Sequence, residues 1–174
     1  MSKVIKLNLF DAKDIDRAIK EVEKYRQDFL RKVDIFRKRI ADELANDAQS
    51  GFNSAIINDL TKGGGRKPEV NVSVTDKSGV SVVIANGGDA IWCEFGAGVY
   101  HNGSVGSSPN PLGVELGYTI GSYGKGYGKG NAWGYYENGE LKITRGTPAS
   151  MPMYNAMKTV GAKVISIARE VFGT

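Results

Sequence analysis

The sequence predicts an α+β fold, in which a long N-terminal helix and a C-terminal helix pack on a small antiparallel β-sheet, with a glycine-rich insertion and a β-hairpin. Three patterns within one predicted domain, 1–174, indicate this fold. Apolar residues recur every three or four positions in 11–50 and again in 151–172, as on one face of a helix. Between these segments, valines alternate with polar residues in 68–96, as in strands with one buried face.

The first helix is predicted to be longer than the domain is wide. No proline or glycine interrupts the chain before Gly51. A helix from Ala12 to Gln49 would be about 55 Å long, which exceeds the diameter expected for a domain of this size. It must therefore overhang its own core, bend, or be covered by another subunit, unless it is two helices with a break near 32–34. Its apolar face consists of Ile15, Ile19, Val22, Phe29, Val33, Phe36, Ile40 and Leu44.

A second short helix or a turn-rich hinge is predicted at 51–62, before a three-stranded antiparallel meander at 68–96. Asp76-Lys77-Ser78-Gly79 has the composition of a hairpin turn between the first two strands. The second strand is apolar on both faces, which favours a central position in the sheet. We expect Ala90–Phe95 to form the third strand, and the meander to lie against the first helix.

An acid stands within this third predicted strand. Glu94 lies between Cys93 and Phe95, so alternation places its side chain on the opposite face from theirs. Two interpretations remain open: the acid points to solvent, or it meets a basic group on a neighbouring chain. Cys93 is the single cysteine, which excludes an internal disulfide and a zinc site built on paired thiolates. We expect it to be a small buried hydrophobe.

The segment 97–131 is a glycine-rich insertion with little periodicity. It contains a tandem Tyr-Gly-Lys-Gly repeat with Tyr123, Lys125, Tyr127 and Lys129. Lysines interleaved with tyrosines on a pliable backbone are able to follow a phosphate backbone and stack on bases. The alternative is a surface loop, or a loop that becomes ordered at a subunit contact. A hairpin around Asn138-Gly139 follows at 132–146, and then the C-terminal helix, 151–172.

The composition and motifs do not indicate an enzyme. The lysines of the glycine-rich repeat are each followed by glycine, and no helix follows them, unlike in a phosphate-binding loop. One histidine, His101, and one cysteine supply no recognised metal-ligand set. We therefore expect no catalytic residues, no metal and no cofactor. The chain has no apolar stretch long enough to span a membrane and no signal peptide, so we expect a protein of the cytosol or one assembled there.

Two segments resemble the minor tail-component family of tailed bacteriophages, the neck proteins also called head–tail joining or tail-completion proteins. These are Ile91-Trp92-Cys93-Glu94-Phe95-Gly96-Ala97-Gly98 and Ile143-Thr144-Arg145-Gly146-Thr147-Pro148-Ala149-Ser150-Met151-Pro152, with Gly134-Tyr135-Tyr136 between them. The family pattern is an apolar strand that ends in Glu-Phe-Gly, a hairpin, and a Thr-basic-Gly segment with prolines that opens the last helix. The chain departs from it at Met153, where phenylalanine is usual, and at Ala97, where threonine is usual.

The resemblance implies a non-enzymatic virion subunit of the neck, assembled in the host cytoplasm. Such proteins form hexameric or twelvefold rings around the DNA channel, between head-completion (stopper) proteins and tail-terminator or tail-tube proteins. It places Trp92, Glu94, Phe95, Arg145, Pro148, Pro152 and Met153 at a subunit interface, with Glu94 close to a basic group. Tyr123, Lys125, Tyr127 and Lys129 would face an adjacent ring or the DNA. The alternative function is a small nucleic-acid-binding module that uses this loop and the basic residues around Arg66-Lys67.

Overall fold

The computed structural model of the protein describes residues 4–6, 8, 10–96, 108–113, 115–116 and 132–173. It confirms the α+β fold with a long N-terminal helix and a C-terminal helix. In chain order, the elements are α1 (Ala12–Ser54), a 3₁₀ helix (Leu60–Lys62), β1 (Asn71–Lys77), β2 (Val80–Asn86), α2 (Ala90–Phe95), β3 (Trp133–Glu137), β4 (Glu140–Thr144) and α3 (Pro152–Phe172).

Helix α1 is one continuous element, about 65 Å long at the usual rise per residue. It begins after Asp11, whose carboxylate accepts a hydrogen bond from the Lys13 amide at 2.9 Å, as an N-cap residue does. The alternative of two helices with a break near 32–34 is wrong. The helix continues to Ser54, so it includes the start of the separate element that the sequence predicts at 51–62.

Helix α3 runs antiparallel to α1 and is much shorter. One end of the pair is at Gly51, where an added Cβ would lie 2.9 Å from Cβ of Pro152, so the absence of a side chain permits the close approach. At the other end, the Phe172 ring lies 5.8 Å from that of Phe29 and 5.7 Å from that of Phe36, between centroids. Residues 12–28 of α1, about 25 Å of helix, therefore extend beyond α3. We call this segment the arm.

A two-stranded hairpin, β1–β2, also packs against α1. Its turn has the positive φ angles of a two-residue hairpin loop, 52° at Ser78 and 80° at Gly79. The side chain of Gln49 on α1 receives a hydrogen bond from the Val72 amide and donates one to the Val70 carbonyl. In the described part of the chain β2 pairs only with β1, so the prediction that it is central in a three-stranded meander is wrong.

The predicted third strand is the short helix α2. Its buried residues are Ala90, Cys93 and Glu94, which follow helical spacing and not the alternation of a strand. A short apolar run is compatible with either structure, and tertiary contacts decide between them. Cys93 is fully buried in the core with Phe52 and Ile57, as expected, and burial raises the pKa of its thiol to about 12.

The remaining predicted elements are present. Strands β3 and β4 pair antiparallel around a turn with φ angles of 51° at Asn138 and 82° at Gly139. Helix α3 lies within the predicted bounds, 151–172. Among the residues that the structure describes, no helix is both long and apolar enough to cross a membrane.

Candidate functional site

The two motifs that carry the family resemblance meet where α2 joins the start of α3. The Cys93 carbonyl accepts hydrogen bonds from the amides of Ser150 and Met151, at 2.9 Å and 3.1 Å. Glu94, the next residue of α2, contacts the first residues of α3. We call this contact region the α2–α3 junction, defined by residues 93–96 and 149–154.

Glu94 caps the N-terminus of α3 from a distant part of the chain. Its Oε2 accepts a hydrogen bond from the Met153 amide at 2.8 Å, and its Oε1 accepts one from the Tyr154 amide at 3.0 Å. The residue that precedes α3, Met151, makes no side-chain cap. The first amides of a helix have no partner within it and favour a negative charge. Glu94 therefore supplies the cap that the local sequence lacks.

The surroundings of Glu94 exclude the interpretation that the acid points to solvent. The residue is buried, with 8% of its surface exposed, so the acid does not point to solvent. Its third hydrogen bond comes from Nδ2 of Asn110 at 2.8 Å, so all three described donors are uncharged groups of its own chain. Among the described residues the donors are helix amides and an amide side chain, and the predicted contact with a basic group on a neighbouring chain stays a prediction. Burial raises the pKa of the Glu94 carboxyl, and these hydrogen bonds oppose the rise.

The glycine-rich insertion is attached to the same junction. The Ser108 hydroxyl donates to the Phe95 carbonyl at 2.6 Å and accepts from the Asn110 amide at 3.2 Å. Ser108 and Asn110 are both buried. No pattern in the sequence marks these two residues beyond the composition of a turn. Through them, residues 108–110 are fixed against α2.

A second cluster of charges lies at the other end of α2. Arg66 donates to both carboxylate oxygens of Asp89, at 2.6 Å and 2.9 Å, and the Glu69 amide donates to the same carboxylate at 2.8 Å. Asp89 raises the pKa of the Arg66 guanidinium above its usual value. The neighbouring Lys67 donates to the Asn53 carbonyl at 2.7 Å. The two basic residues named in the nucleic-acid alternative are therefore engaged in contacts within the chain.

A cavity of about 300 Å³ opens beside this cluster and is lined by both signs of charge. Asp59 is buried, lies 4.0 Å from Nε of Arg66 through its Oδ2, and caps the 3₁₀ helix by accepting from the Thr61 amide at 2.9 Å. Its Oδ2 has no hydrogen-bond partner among the described atoms. The hydrogen bonds from Thr61 lower the pKa of Asp59. The lining residues are Lys62, Arg66, Glu69, Gly88, Asp89, Glu137, Asn138, Glu140 and Lys142.

The cavity's charges are mostly paired with one another. Lys142 contacts Glu140 at 2.7 Å, in addition to the pair between Arg66 and Asp89. Within the described ranges, no group of three or more His, Cys, Asp or Glu side chains is placed to hold a metal ion. Asp59 and Asp89 were not among the sequence-predicted residues. From the sequence, an acid before a turn or a helix is typical of a cap. Only the fold identifies Arg66 as the partner of Asp89.

The structure brings together part of the predicted interface set. Glu94 and Pro152 are buried inside the chain, and Trp92 and Met153 are partly buried against the core. Arg145 and Pro148 are exposed, and Phe95 is intermediate. The four loop residues, Tyr123, Lys125, Tyr127 and Lys129, lie outside the described residues.

An exposed apolar surface lies on α1, and none of its residues is among the predicted interface residues. Several large apolar side chains of the arm and of the turn after it are more than 45% exposed. Groups of exposed apolar side chains on a soluble protein are typical of interaction surfaces. The exposed apolar side chains of the arm and of the following turn are Ile19, Val22, Tyr25, Phe29 and Leu30.

Similarity to known proteins does not extend these observations. No protein-family model, no curated protein and no solved structure matches the chain.

Proposed function

We propose that this protein is a structural subunit of the neck of a tailed bacteriophage, where copies form a ring around the DNA channel between the head connector and the tail tube. In this role it has no catalytic function. The observation that carries the proposal is the arm of α1, which extends about 25 Å past the end of α3 with its apolar side chains exposed.

The energetics of the arm favour assembly. Fully burying one large apolar side chain contributes about 1.5–3 kcal/mol. The five side chains named above are each about half exposed, so covering them would contribute on the order of 5 kcal/mol. One such contact is weak after the cost of association. A closed ring forms the same contact at every subunit and removes every free end, which makes the assembly cooperative.

The α2–α3 junction supports the same role in a different way. It joins the two family-like motifs through Glu94, Cys93 and the start of α3, and it holds residues 108–110. A fixed junction of this kind would present the glycine-rich insertion at a defined place on each subunit. In the proposed ring, Lys125 and Lys129 contact an adjacent ring or the DNA.

The proposal is tested by measuring the mass of the native particle over a range of concentrations, alone and with the stopper, tail-terminator and tail-tube proteins of the same phage. We expect a ring, hexameric or twelvefold, alone or on a partner ring. Antibody labelling of virions should place the protein between capsid and tail. A monodisperse monomer at high concentration that also fails to bind the partner rings would refute the proposal.

A further inference from the structure

We infer that the arm of α1 docks on the outer face of α3 in a second copy of this chain, so that copies join head to tail. This inference rests on the proposed assembly role and specifies the contact that produces it. The outer face is the exposed side of α3 that includes Met157, Gly161 and Ile165.

The arm continues the apolar stripe of a helix that elsewhere has a partner. Ile15, Ile19 and Val22 lie on the same face of α1 as Phe29 and Val33, by the three/four spacing of the helix. Further along α1, that side of the helix is covered by α3 and by the β1–β2 hairpin. Since α3 ends beside Phe29, Ile19 remains 56% exposed and Val22 54% exposed. The arm therefore has an apolar face suited to helix packing, and no helix of the described chain packs against it.

The charged residues beside the apolar stripe indicate that the partner surface is basic. Asp16 and Glu23, one heptad apart, border the stripe on one side and are both exposed. Arg26 is the one cation within the stripe, and its long stem allows the charge to turn away. Two arms facing each other would bring acids next to acids, which is unfavourable. The other basic residues of the arm, on the opposite side of the helix, are Lys13, Arg17, Lys20 and Lys24.

The outer face of α3 has the complementary character. Met157 is 53% exposed and Ile165 is 66% exposed, and Gly161 lies between them on the same face. A Cβ added at Gly161 would meet nothing within 4 Å, so its open backbone allows a second helix to approach closely. Lys158 and Arg169 border this face; Lys158 lies over the Tyr154 ring, 5.6 Å from its centroid, and neither cation forms an ion pair with a carboxylate among the described residues.

The remaining charges of α3 are already used within the chain. Lys163 lies 3.8 Å from carboxylates of Glu43 and Asp47, and Glu170 contacts Arg39 at 2.7 Å. The charged residues beside the outer face of α3 that form no ion pair are therefore basic, and those beside the apolar stripe of the arm, Asp16 and Glu23, are acidic. The arm and the outer face are different patches, so their contact is heterologous and repeats from copy to copy until a ring closes.

Charge reversal tests the pairing in the full chain. One variant carries Asp16→Lys and Glu23→Lys, and the other carries Lys158→Glu and Arg169→Glu. We expect each variant alone to associate at least roughly tenfold more weakly than the unchanged chain in sedimentation velocity. An equimolar mixture should recover assembly, because alternating copies then face opposite charges at every contact. Lys13→Glu with Lys24→Glu, on the far side of the arm, is the matched control and should change association little.

A steric variant tests the same face without changing charge. Gly161→Trp has room in the single chain and would block a docked helix, so we expect a folded protein that no longer assembles. Ser166→Trp, about 140° around the same helix, should still assemble. Circular dichroism and thermal unfolding establish that each variant is folded.

The outcomes separate this contact from the proposed function. If the unchanged chain does not associate, alone or with partner rings, both proposals fail. If it assembles and the charge and steric variants assemble equally well, the assembly role stands and this contact is wrong. If only the arm variant loses assembly and the two α3 variants do not, the arm docks elsewhere and the assignment to α3 is overturned.

Discussion

Glu94→Gln tests whether a buried carboxyl from α2 holds the start of α3. The substitution keeps the size of the side chain and leaves one oxygen to accept from Tyr154 and Asn110. The amide NH₂ would then face the Met153 N–H, which loses its acceptor. A buried donor without a partner costs about 1–3 kcal/mol, so we expect a loss of about 2 kcal/mol of unfolding free energy.

The pH dependence of this loss provides the sharper test. Because the folded-state pKa of Glu94 is raised by burial, its stabilising contribution is fully present below the unfolded-state value, near 4.5, and declines as pH rises through the folded value. The amide side chain of the variant does not titrate. We therefore expect the difference between the unchanged chain and the variant to be larger at pH 4 than at pH 8.

Urea unfolding followed by circular dichroism, at one low protein concentration between pH 4 and pH 8, measures this difference. Glu115→Gln, which removes the same charge at an exposed position, is the control and should change stability by less than about 0.5 kcal/mol. A difference for Glu94→Gln that grows towards pH 8 would mean that the helix amides outweigh burial. That result would refute the reasoning.

Three further substitutions test the packing and the buried ion pair. Gly51→Ala should destabilise by about 1 kcal/mol, because overpacking against Pro152 outweighs the gain in helix propensity; an increased urea midpoint would show that the helices separate easily. Gly161→Ala, in open space, should stabilise by about 0.5–1 kcal/mol in the same assay, and a loss would indicate an unrecognised contact. Arg66→Met should cost about 3 kcal/mol, because it leaves the Asp89 carboxylate buried without its cation; a loss below about 1 kcal/mol would mean that water reaches Asp89.

Much of the candidate site could not be predicted because its contacts join distant parts of the chain. The apolar run at 90–95 and the Pro-rich segment before α3 were correctly singled out, and the structure brings them together at the junction. The capping role of Glu94 was missed and the solvent-facing interpretation was wrong, since the residue is buried and accepts from amides 59 and 60 residues away. Likewise, Arg66 reaches Asp89 across 23 residues, and its basic charge alone suggested a nucleic-acid contact.

The sequence by itself determined the features that depend on neighbouring residues: the continuous periodicity of α1, the two hairpin turns and the extent of α3. It also determined that α1 would be too long for its own domain. Only the tertiary structure decided that 90–95 is a helix, because the burial of Cys93 and the hydrogen bonds of Glu94 require helical spacing against α3. It alone decided which part of α1 stays uncovered, because that depends on where α3 ends beside it, at Phe172.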